Sequence, residues 1–307
     1  MLIVFYNQSG LWRNSLVRLL ITGGTGFAGR FLCRFFYEKG YEITATYRTR
    51  KPQFEVEGVN YVHQELSECI RIKGQFDAII HTACAQPNSS NKMEDYVRDN
   101  IDSARQLVKY AVSNRVGIII YFSTRSVYGE IRSKEIRESD DLINPDMYGE
   151  TKHIAEKIFQ EAEGIKTIGF RLPGIIGPGA HDIWLADMAR KIFNGESIEV
   201  SDFETKNLAD ILDIAFFIEQ LISDASDNMP FLHDVVNISC KESINNTEII
   251  DVLKKTLNSD AEVHLKKPGP GLFILNSDYA QEMGFVSSKP IDIVERYAEY
   301  FKHKMGN

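Results

Sequence analysis

The stretch VRLLITGGTGFAG, residues 17–29, decides the fold of this chain. Its apolar first half predicts a buried strand, and apolar positions at helical spacing predict a helix over about 27–39. Between the strand and the helix stand Gly23, Gly26 and Gly29. In such a turn the first glycine permits a tight bend, the second lets the backbone approach a pyrophosphate, and the third lets the helix pack against the sheet. Together with the amide groups of the helix N-terminus, the stretch predicts a loop that binds a dinucleotide.

Apolar runs and amphipathic stretches alternate over most of the chain, which is typical of βαβ units and a parallel sheet. Further strands are predicted over residues 43–47, 60–63, 77–81, 117–123 and 167–172. Further helices are predicted over about 93–114, 148–162, 210–222 and 291–304. The sequence therefore predicts an α/β fold, a Rossmann-type doubly wound parallel sheet with a smaller C-terminal substrate lobe built from discontinuous segments.

The regular alternation weakens after Gly179, where short strands and a Pro-Gly-Pro-Gly turn at 268–271 follow. We therefore predict three parts. Their bounds are 1–16 for a poorly determined N-terminal extension, 17–172 and 206–233 for the dinucleotide-binding Rossmann domain, and 173–205 and 234–307 for the substrate-binding lobe.

Composition and charge exclude several kinds of partner. With 307 residues the chain can bury a sizeable core, and its net charge of −8 argues against a general nucleic-acid binder. The four cysteines show no CxxC spacing and the seven histidines no HxxxH or HxH spacing, so we predict reduced thiols and no metal site. No apolar run reaches the length of a membrane span. We expect a cytoplasmic protein without nucleic-acid or membrane partners.

Three side chains have the chemistry of a proton-transfer site. Tyr148 and Lys152 stand four residues apart, so they share one face of a predicted helix. A tyrosine with a pKa of about 10 is a poor acid or base at neutral pH, but an adjacent ammonium stabilises its phenolate. Thr124 directly follows a predicted strand, at the carboxyl edge where parallel sheets bind ligands, and its hydroxyl can hold a reacting oxygen. The pattern predicts proton transfer coupled to hydride exchange with a nicotinamide.

The end of the second predicted strand bears on the choice of cofactor. Residues 43–50 read ITATYRTR, with Arg48 and Arg50 where NAD-binding proteins usually carry an acid for the adenosine ribose. A guanidinium at this point can pair with a 2′-phosphate, so we predict NADP. NAD remains possible if both arginines are only solvated loop residues.

The order of these motifs resembles the extended short-chain dehydrogenase/reductases, the NAD-dependent epimerase/dehydratase family, which acts mainly on nucleotide sugars. The resemblance covers residues 17 to about 304. It rests on TGGTGFAG at 22–29, HTAC at 81–84, Asn100, STRSVYG at 123–129, YGETK at 148–152 and RLPGIIGPG at 171–179. It implies that Thr124, Tyr148 and Lys152 form the catalytic group, with Lys152 also holding the nicotinamide ribose.

The resemblance also implies which residues contact cofactor and substrate, and we expect a homodimer. The cofactor-binding residues are Gly23, Thr25, Gly26, Phe27, Ala28, Gly29, Arg48, Leu66, His81, Ala83, Asn100, Lys152 and Pro173. The substrate-binding residues are Thr124, Ser126, Gly174 and Lys267.

The chain departs from the family pattern at several positions. Gly174 stands where many nucleotide-sugar members carry an asparagine that contacts the substrate diphosphate, and Asp210 replaces a common histidine. Glu65 replaces a common aspartate near the adenine. Dehydratases of this family need an acid after the active hydroxyl residue, where this chain has Arg125-Ser126. Dehydration is therefore disfavoured.

The leading hypothesis is an NADP-dependent reductase, or an epimerase, of a keto-deoxysugar linked to a nucleoside diphosphate. The basic stretch Lys266-Lys267-Pro268-Gly269 favours it, since a cation there could meet the diphosphate. One alternative is a reductase of a small hydrophobic carbonyl compound, like dihydroflavonol or hydroxysteroid members, whose strand end resembles residues 45–48. Another is a non-catalytic NADP(H)-binding sensor, although such proteins usually lose the tyrosine or the lysine that this chain keeps.

Overall fold

The computed structural model describes residues 16–49, 55–87, 90–201, 205–225, 233–266 and 273–306. The strands, in chain order, are β1 Arg18–Thr22, β2 Glu42–Tyr47, β3 Asn60–His63, β4 Ala78–His81, β5 Ile118–Thr124, β6 Glu135–Ile136, β7 Lys166–Leu172, β8 Gly174–Ile176, β9 Ile198–Ser201, β10 Thr205–Lys206, β11 Leu208–Asp210, β12 His233–Asn237, β13 Ile244–Asn245, β14 Val263–Lys266 and β15 Ile274–Leu275. The α-helices are α1 Phe27–Glu38, α2 Met93–Tyr96, α3 Ser103–Ser113, α4 Met147–Gln160, α5 Trp184–Phe193, α6 Ile211–Asp224, α7 Asn246–Leu257, α8 Asp278–Glu282 and α9 Pro290–Met305. Most of the predicted extension (residues 1–15), Arg50 and Lys267 lie outside the described residues.

A parallel sheet of seven strands forms the centre of the protein. Its order is β12-β7-β5-β4-β1-β2-β3, so the direction of winding reverses at β1. In open α/β sheets, ligands bind outside the carboxyl ends of the strands at this reversal, here between β1 and β4. The predicted Rossmann-type parallel sheet is confirmed.

Helices cover both faces of the sheet, as the doubly wound prediction requires. Strand β5 sends Ile118 and Ile120 into a core that α1 and α6 share, and Ile119 and Tyr121 into a core that α3 and α4 share. All seven residues of β5 are buried. Because both faces are covered, the strand reads as a continuous apolar run rather than an alternating one.

C-terminal segments of the chain form a lobe with a core of its own. Side chains from α5, α7 and α9, such as Leu185, Ile249 and Val294, meet in a separate buried cluster. Strand β12 belongs to the central sheet and pairs with β7 from His233 to Asn237. The predicted boundary between residues 233 and 234 therefore falls inside this strand.

The last helix ties the lobe to the sheet. Arg296 of α9 forms an ion pair with Asp210, whose side chain is 4% exposed. Asp210 also caps α6, since its Oδ1 accepts a hydrogen bond from the Leu212 amide at 2.8 Å. The residue that replaces the family histidine thus joins α6 to α9.

The predicted helix over 93–114 contains a π turn. Residues Val97–Asp102 form π-helix between α2 and α3, and Asn100 is buried within this turn. Such π turns are frequent at functional sites because they redirect side chains within a helix.

Three observations on the described part of the chain concern membrane spans, metal sites and cysteines. Within it, no helix is both long and apolar enough to cross a membrane. In the same residues no group of three or more His, Cys, Asp or Glu side chains could hold a metal ion. The four cysteines are free thiols.

Candidate active site

The glycine loop, residues 22–29, follows β1 and opens α1. Gly23 has a φ of +72°, a left-handed conformation that glycine adopts without strain. A Cβ atom on Gly29 would lie 2.2 Å from the carbonyl oxygen of Gly23. The start of α1 therefore packs directly on the backbone of the turn, and only a glycine fits at position 29.

The middle of the glycine loop is open. Thr25 and Gly26 are exposed. The N-cap residue of α1 is Gly26, and it makes no side-chain cap hydrogen bond to the first amide groups of the helix. The first amide groups of α1 are thus left for an anion, and the loop fits a pyrophosphate. A bound nicotinamide dinucleotide would supply hydride exchange at this site.

His81 joins the ends of β4 and β1. Its Nδ1 lies 2.7 Å from Thr22 Oγ1, and the Thr82 hydroxyl donates to the Thr22 carbonyl at 2.7 Å. Complete burial, with a smaller effect of the nearby Lys152 ammonium, lowers the pKa of His81 to about 3. His81 is therefore neutral. It holds the two strand ends together beside Ala83, whose amide lies 3.4 Å from Thr22 Oγ1.

Asn100 connects the loop after β4 to α4. Its Oδ1 accepts from the Ala85 amide and its Nδ2 donates to Thr151 Oγ1, both at 3.0 Å. The side chain is buried, with both ends of its amide bonded inside the protein. Asn100 thus connects the backbone after β4 to a side chain of α4, and direct contact with a cofactor stays a prediction.

The other residues predicted on the cofactor side lie around the same edge of the sheet. Leu66 is buried in the core beneath α3 and α4. Pro173 is half-buried between β7 and β8. Arg48 follows β2 directly, and its Nη1 donates to Asp99 Oδ1 at 2.6 Å.

Thr124 and Tyr148 meet at the carboxyl end of β5. Thr124 is the last residue of the strand, and its Oγ1 accepts from the Ser126 amide at 3.2 Å. The phenol of Tyr148, in the first turn of α4, lies near this side chain. Burial, and next the Cys84 thiol, raise the pKa of Tyr148 well above its ordinary value, while the Thr124 hydroxyl acts in the opposite direction. Tyr148 therefore carries its proton at neutral pH.

Lys152 lies one turn further along the same face of α4. Its buried Nζ donates to the carbonyl oxygen of Phe122, two residues before Thr124, at 2.6 Å. The largest influences on the pKa of Tyr148 are burial, Cys84, Thr124 and Asp146. The effect of the ammonium on the phenolate, inferred from spacing, stays a prediction.

Glu156, a further turn along this face, was missed by the sequence analysis. Its carboxylate is 1% exposed and accepts from Arg171 Nη2 at 2.8 Å and Nε at 3.1 Å, and from Ser123 Oγ at 2.5 Å. Burial alone would raise its pKa, but hydrogen bonds from His153, Arg171 and Ser123 outweigh burial and lower it to about 2. The spacing 148, 152, 156 was the available signal, because residues four apart share a helix face.

On the substrate side, Gly174 is exposed, and a Cβ on it would lie 3.6 Å from Nε1 of Trp184. Lys206 Nζ lies 5.3 Å from the centre of the Trp184 ring. Neither residue was predicted from the sequence. Of the predicted basic stretch, Lys267 lies outside the described residues, and Lys266 forms an exposed ion pair with Glu199 at 2.6 Å.

Comparisons with known proteins agree with this arrangement. The model of the NAD dependent epimerase/dehydratase family matches residues 19–228. A 2-alkyl-3-oxoalkanoate reductase of Stenotrophomonas maltophilia is 27% identical over 57% of this chain and 56% of that protein. A UDP-glucose 4-epimerase of Halalkalibacterium halodurans is 29% identical over 50% of this chain and 49% of that protein, so the chain spans about half the length of these two relatives. A dTDP-4-dehydro-6-deoxy-D-allose reductase of Streptomyces sp. is 21% identical over 82% of this chain and 85% of that protein.

Solved structures share the fold. A UDP-galactose 4-epimerase superposes with a TM-score of 0.79 at 18% identity, over 94% of this chain and all of that chain. A UDP-N-acetylglucosamine 4-epimerase from Methanobrevibacter ruminantium, in complex with UDP-N-acetylmuramic acid, superposes with a TM-score of 0.81 at 19% identity, over 94% of this chain and 99% of that chain.

Two glycines of the loop should separate stability from cofactor binding. Gly29→Ala should lower the free energy of unfolding by about 2 kcal/mol or more, because the new methyl group meets a backbone oxygen that cannot move aside. Gly26→Ala should fold normally, since its φ of −73° suits any residue. It should nevertheless weaken dinucleotide binding by about tenfold, or roughly 1.4 kcal/mol, because the methyl group faces the pyrophosphate. Denaturant titration and calorimetric NADPH titration measure the two effects, and equal stability of both variants would contradict the assignment.

Glu156→Gln should lower the free energy of unfolding by about 3 kcal/mol, because it leaves the Arg171 guanidinium buried without its carboxylate. The wild-type carboxylate, with a pKa of about 2 in the folded protein against about 4.3 when unfolded, contributes stability above that unfolded value. The difference between variant and wild type should therefore shrink as the pH falls from about 5 towards 2. Glu150→Gln, an exposed position on the same helix, is the control for denaturant titrations. A similar loss in both variants would show that burial of the pair is not the cause.

Proposed function

Because the chain belongs to the NAD-dependent epimerase/dehydratase family, which confirms the resemblance drawn from its motifs, we propose that it is an NADP-dependent reductase of a nucleoside-diphosphate-linked keto-deoxysugar. The observation that carries the proposal is the position of Tyr148 beside Thr124 at the carboxyl end of β5. The glycine loop opens on the same edge of the sheet. Tyr148, the proposed proton donor, and the glycine loop therefore lie at the same crevice.

Each residue of the catalytic group has a role in reducing a carbonyl. Thr124 Oγ1 donates a hydrogen bond to the carbonyl oxygen and orients it. Tyr148 donates its proton to that oxygen as negative charge develops there. Lys152 is held by the Phe122 carbonyl and keeps further N–H donors for the nicotinamide ribose.

Net reduction is favoured over epimerisation by the residue that follows β2. Arg48 follows β2, where a guanidinium can pair with the 2′-phosphate of NADP. The NADP preference in turn favours consumption of a reduced cofactor.

The nucleotide end of the substrate has a candidate binding surface beside Gly174. There the Trp184 ring offers an aromatic face and Lys206 a cation, which suit a base or sugar ring and a diphosphate respectively. The relative named as a dTDP-4-dehydro-6-deoxy-D-allose reductase, matched over 85% of its length, supports this substrate class.

A second candidate is a reductase of a small hydrophobic carbonyl compound. The relative named as a 2-alkyl-3-oxoalkanoate reductase favours it, as does the lack of a side chain at Gly174 to meet a diphosphate. NADPH oxidation with a panel of keto-sugar nucleotides and of aliphatic and aromatic ketones distinguishes the two substrate classes.

Tyr148→Phe should lower turnover by about 10²- to 10⁴-fold, because only the proton donor is lost. The affinity for NADPH should stay within a factor of about two, since the ring and its packing remain. Steady-state rates and a separate NADPH titration measure the two quantities. Near-normal turnover would show that another group supplies the proton.

A free nucleoside diphosphate should compete with the substrate but not with NADPH, because only the former carries a group for the Trp184 and Lys206 surface. Lys206→Met should raise the substrate KM several-fold and leave the NADPH KM unchanged. Lys191→Met, an exposed lysine on α5, is the matched control. Turnover of hydrophobic ketones without inhibition by UDP, GDP, CDP or dTDP would contradict the nucleotide-sugar assignment.

A further inference from the structure

Two arginines from different parts of the chain share one carboxylate oxygen. Asp99 Oδ1 accepts from Arg48 Nη1 and from Arg98 Nε, each at 2.6 Å. Arg48 follows β2, whereas Arg98 and Asp99 belong to the π turn between α2 and α3. The shared oxygen brings two guanidinium groups together that are far apart in sequence.

The carboxylate lies beneath the two cations. The Asp99 side chain is 9% exposed, against 48% for Arg48 and 44% for Arg98. Burial would raise the pKa of Asp99, but the hydrogen bonds and charges of Arg98 and Arg48 outweigh it and lower the pKa. Asp99 thus stays charged and holds the guanidinium groups, whose outer surfaces face solvent.

The cluster lies at the end of β2, next to the glycine loop. The amide of Gly24 donates to the Thr46 carbonyl at 2.9 Å, so the end of β2 that precedes Arg48 packs on the glycine loop. On the other side, Asn100 follows Asp99 directly and holds the loop after β4 through the Ala85 amide. An adenosine ribose in this crevice would lie between the two elements that carry the arginines.

The guanidinium groups retain donors for an anion. Each has five N–H groups in a planar fork. Among the described residues, Arg48 gives one bond to Asp99, and Arg98 gives its Nε to Asp99 and makes a 3.1 Å ion pair through Nη1 with Asp95. Planar forks of this kind match the oxygens of a phosphate better than a lysine ammonium does. Two adjacent forks above a buried carboxylate suit a dianionic phosphate.

We propose that Arg98, oriented by Asp99, is the second arginine of a 2′-phosphate site that Arg48 begins, and that this pair selects NADP over NAD. The inference rests on the proposed NADP-dependent function and adds a residue from the π turn to the selection. If Asp99 instead accepts hydrogen bonds from the ribose hydroxyls of NAD, titration with cofactor fragments distinguishes the two roles.

The test measures binding of two cofactor fragments, so it needs no substrate. Calorimetric titrations with 2′,5′-ADP and with 5′-ADP compare the wild type with Arg98→Ala, Arg98→Lys, Arg48→Ala and Arg105→Ala. Arg105 is the matched control, because it lies on α3 and pairs with Asp102 at the exposed surface at 3.1 Å. Thermal melts of every variant check folding, and Arg98→Lys keeps the charge should the alanine variant be unstable.

The expected result is a wild type that binds 2′,5′-ADP at least about tenfold tighter than 5′-ADP. Arg98→Ala and Arg48→Ala should each weaken 2′,5′-ADP by about tenfold and leave 5′-ADP within a factor of about two. Arg98→Lys should lose part of the affinity, since it keeps the charge but not the fork. Arg105→Ala should change neither fragment.

Three results would overturn the proposal. If the wild type prefers 2′,5′-ADP and only Arg48→Ala removes the preference, NADP selection stands and the role of Arg98 falls. If Arg98→Ala weakens both fragments equally, Arg98 supports the adenosine site in general and does not read the phosphate. If the wild type binds both fragments equally, NADP selection and the role of Arg98 fall together, and the ribose-binding role of Asp99 is favoured.

Discussion

The buried ion pair between Glu156 and Arg171 is the interaction on which the rest of the site depends. The carboxylate on α4 is bound by the guanidinium of β7 and by Ser123 of β5, so one group connects a helix to two strands. The same helix face carries Tyr148 and Lys152, and Ser123 directly precedes Thr124. Arg171 continues the network to the Tyr128 hydroxyl at 3.0 Å, which in turn donates to Asn237 of β12 at 2.7 Å. A charge this deeply buried is tolerated only when its partners are all in place, which makes the relative position of helix and strands specific.

The carboxyl edge of the sheet explains why residues distant in sequence meet. Parallel strands all end on one side, and β1, β4, β5 and β7 lie together in the middle of the sheet. The glycine loop, His81, Thr124 and Pro173 each follow or end one of these strands. Short hydrogen bonds such as that between Thr22 and His81 then fix neighbouring strand ends relative to one another. The cleft is thus assembled from loops whose bases are rigid.

Local patterns in the sequence predicted the sheet and placed Thr124 at a strand end and Tyr148 and Lys152 on a helix, but not the contacts between them. The strand at Asn60–His63 and the helix that begins near Phe27 have the predicted bounds, because period and turn residues are local properties. The last strand of the sheet, His233–Asn237, has polar residues at both ends and lacks the continuous apolar run of β5, so periodicity did not reveal it.

The π turn is a change in hydrogen-bond spacing, to which hydrophobic patterns are insensitive. Trp184 and Lys206 depend on the packing of separate lobe segments, and the shared use of Asp99 by two arginines depends on a contact between β2 and a distant helix.

Phe27 connects the start of α1 to the lobe. It is the first residue of α1, and its ring packs against both the core under the sheet and the core of the lobe. The ring also lies 3.6 and 3.8 Å from where Cβ atoms would stand on Gly177 and Gly179, in the segment that leads into the lobe. A ligand that immobilises the start of α1 would therefore also steady the wall of the neighbouring cleft. One aromatic ring thus transmits order from the start of α1 to the entrance of the lobe.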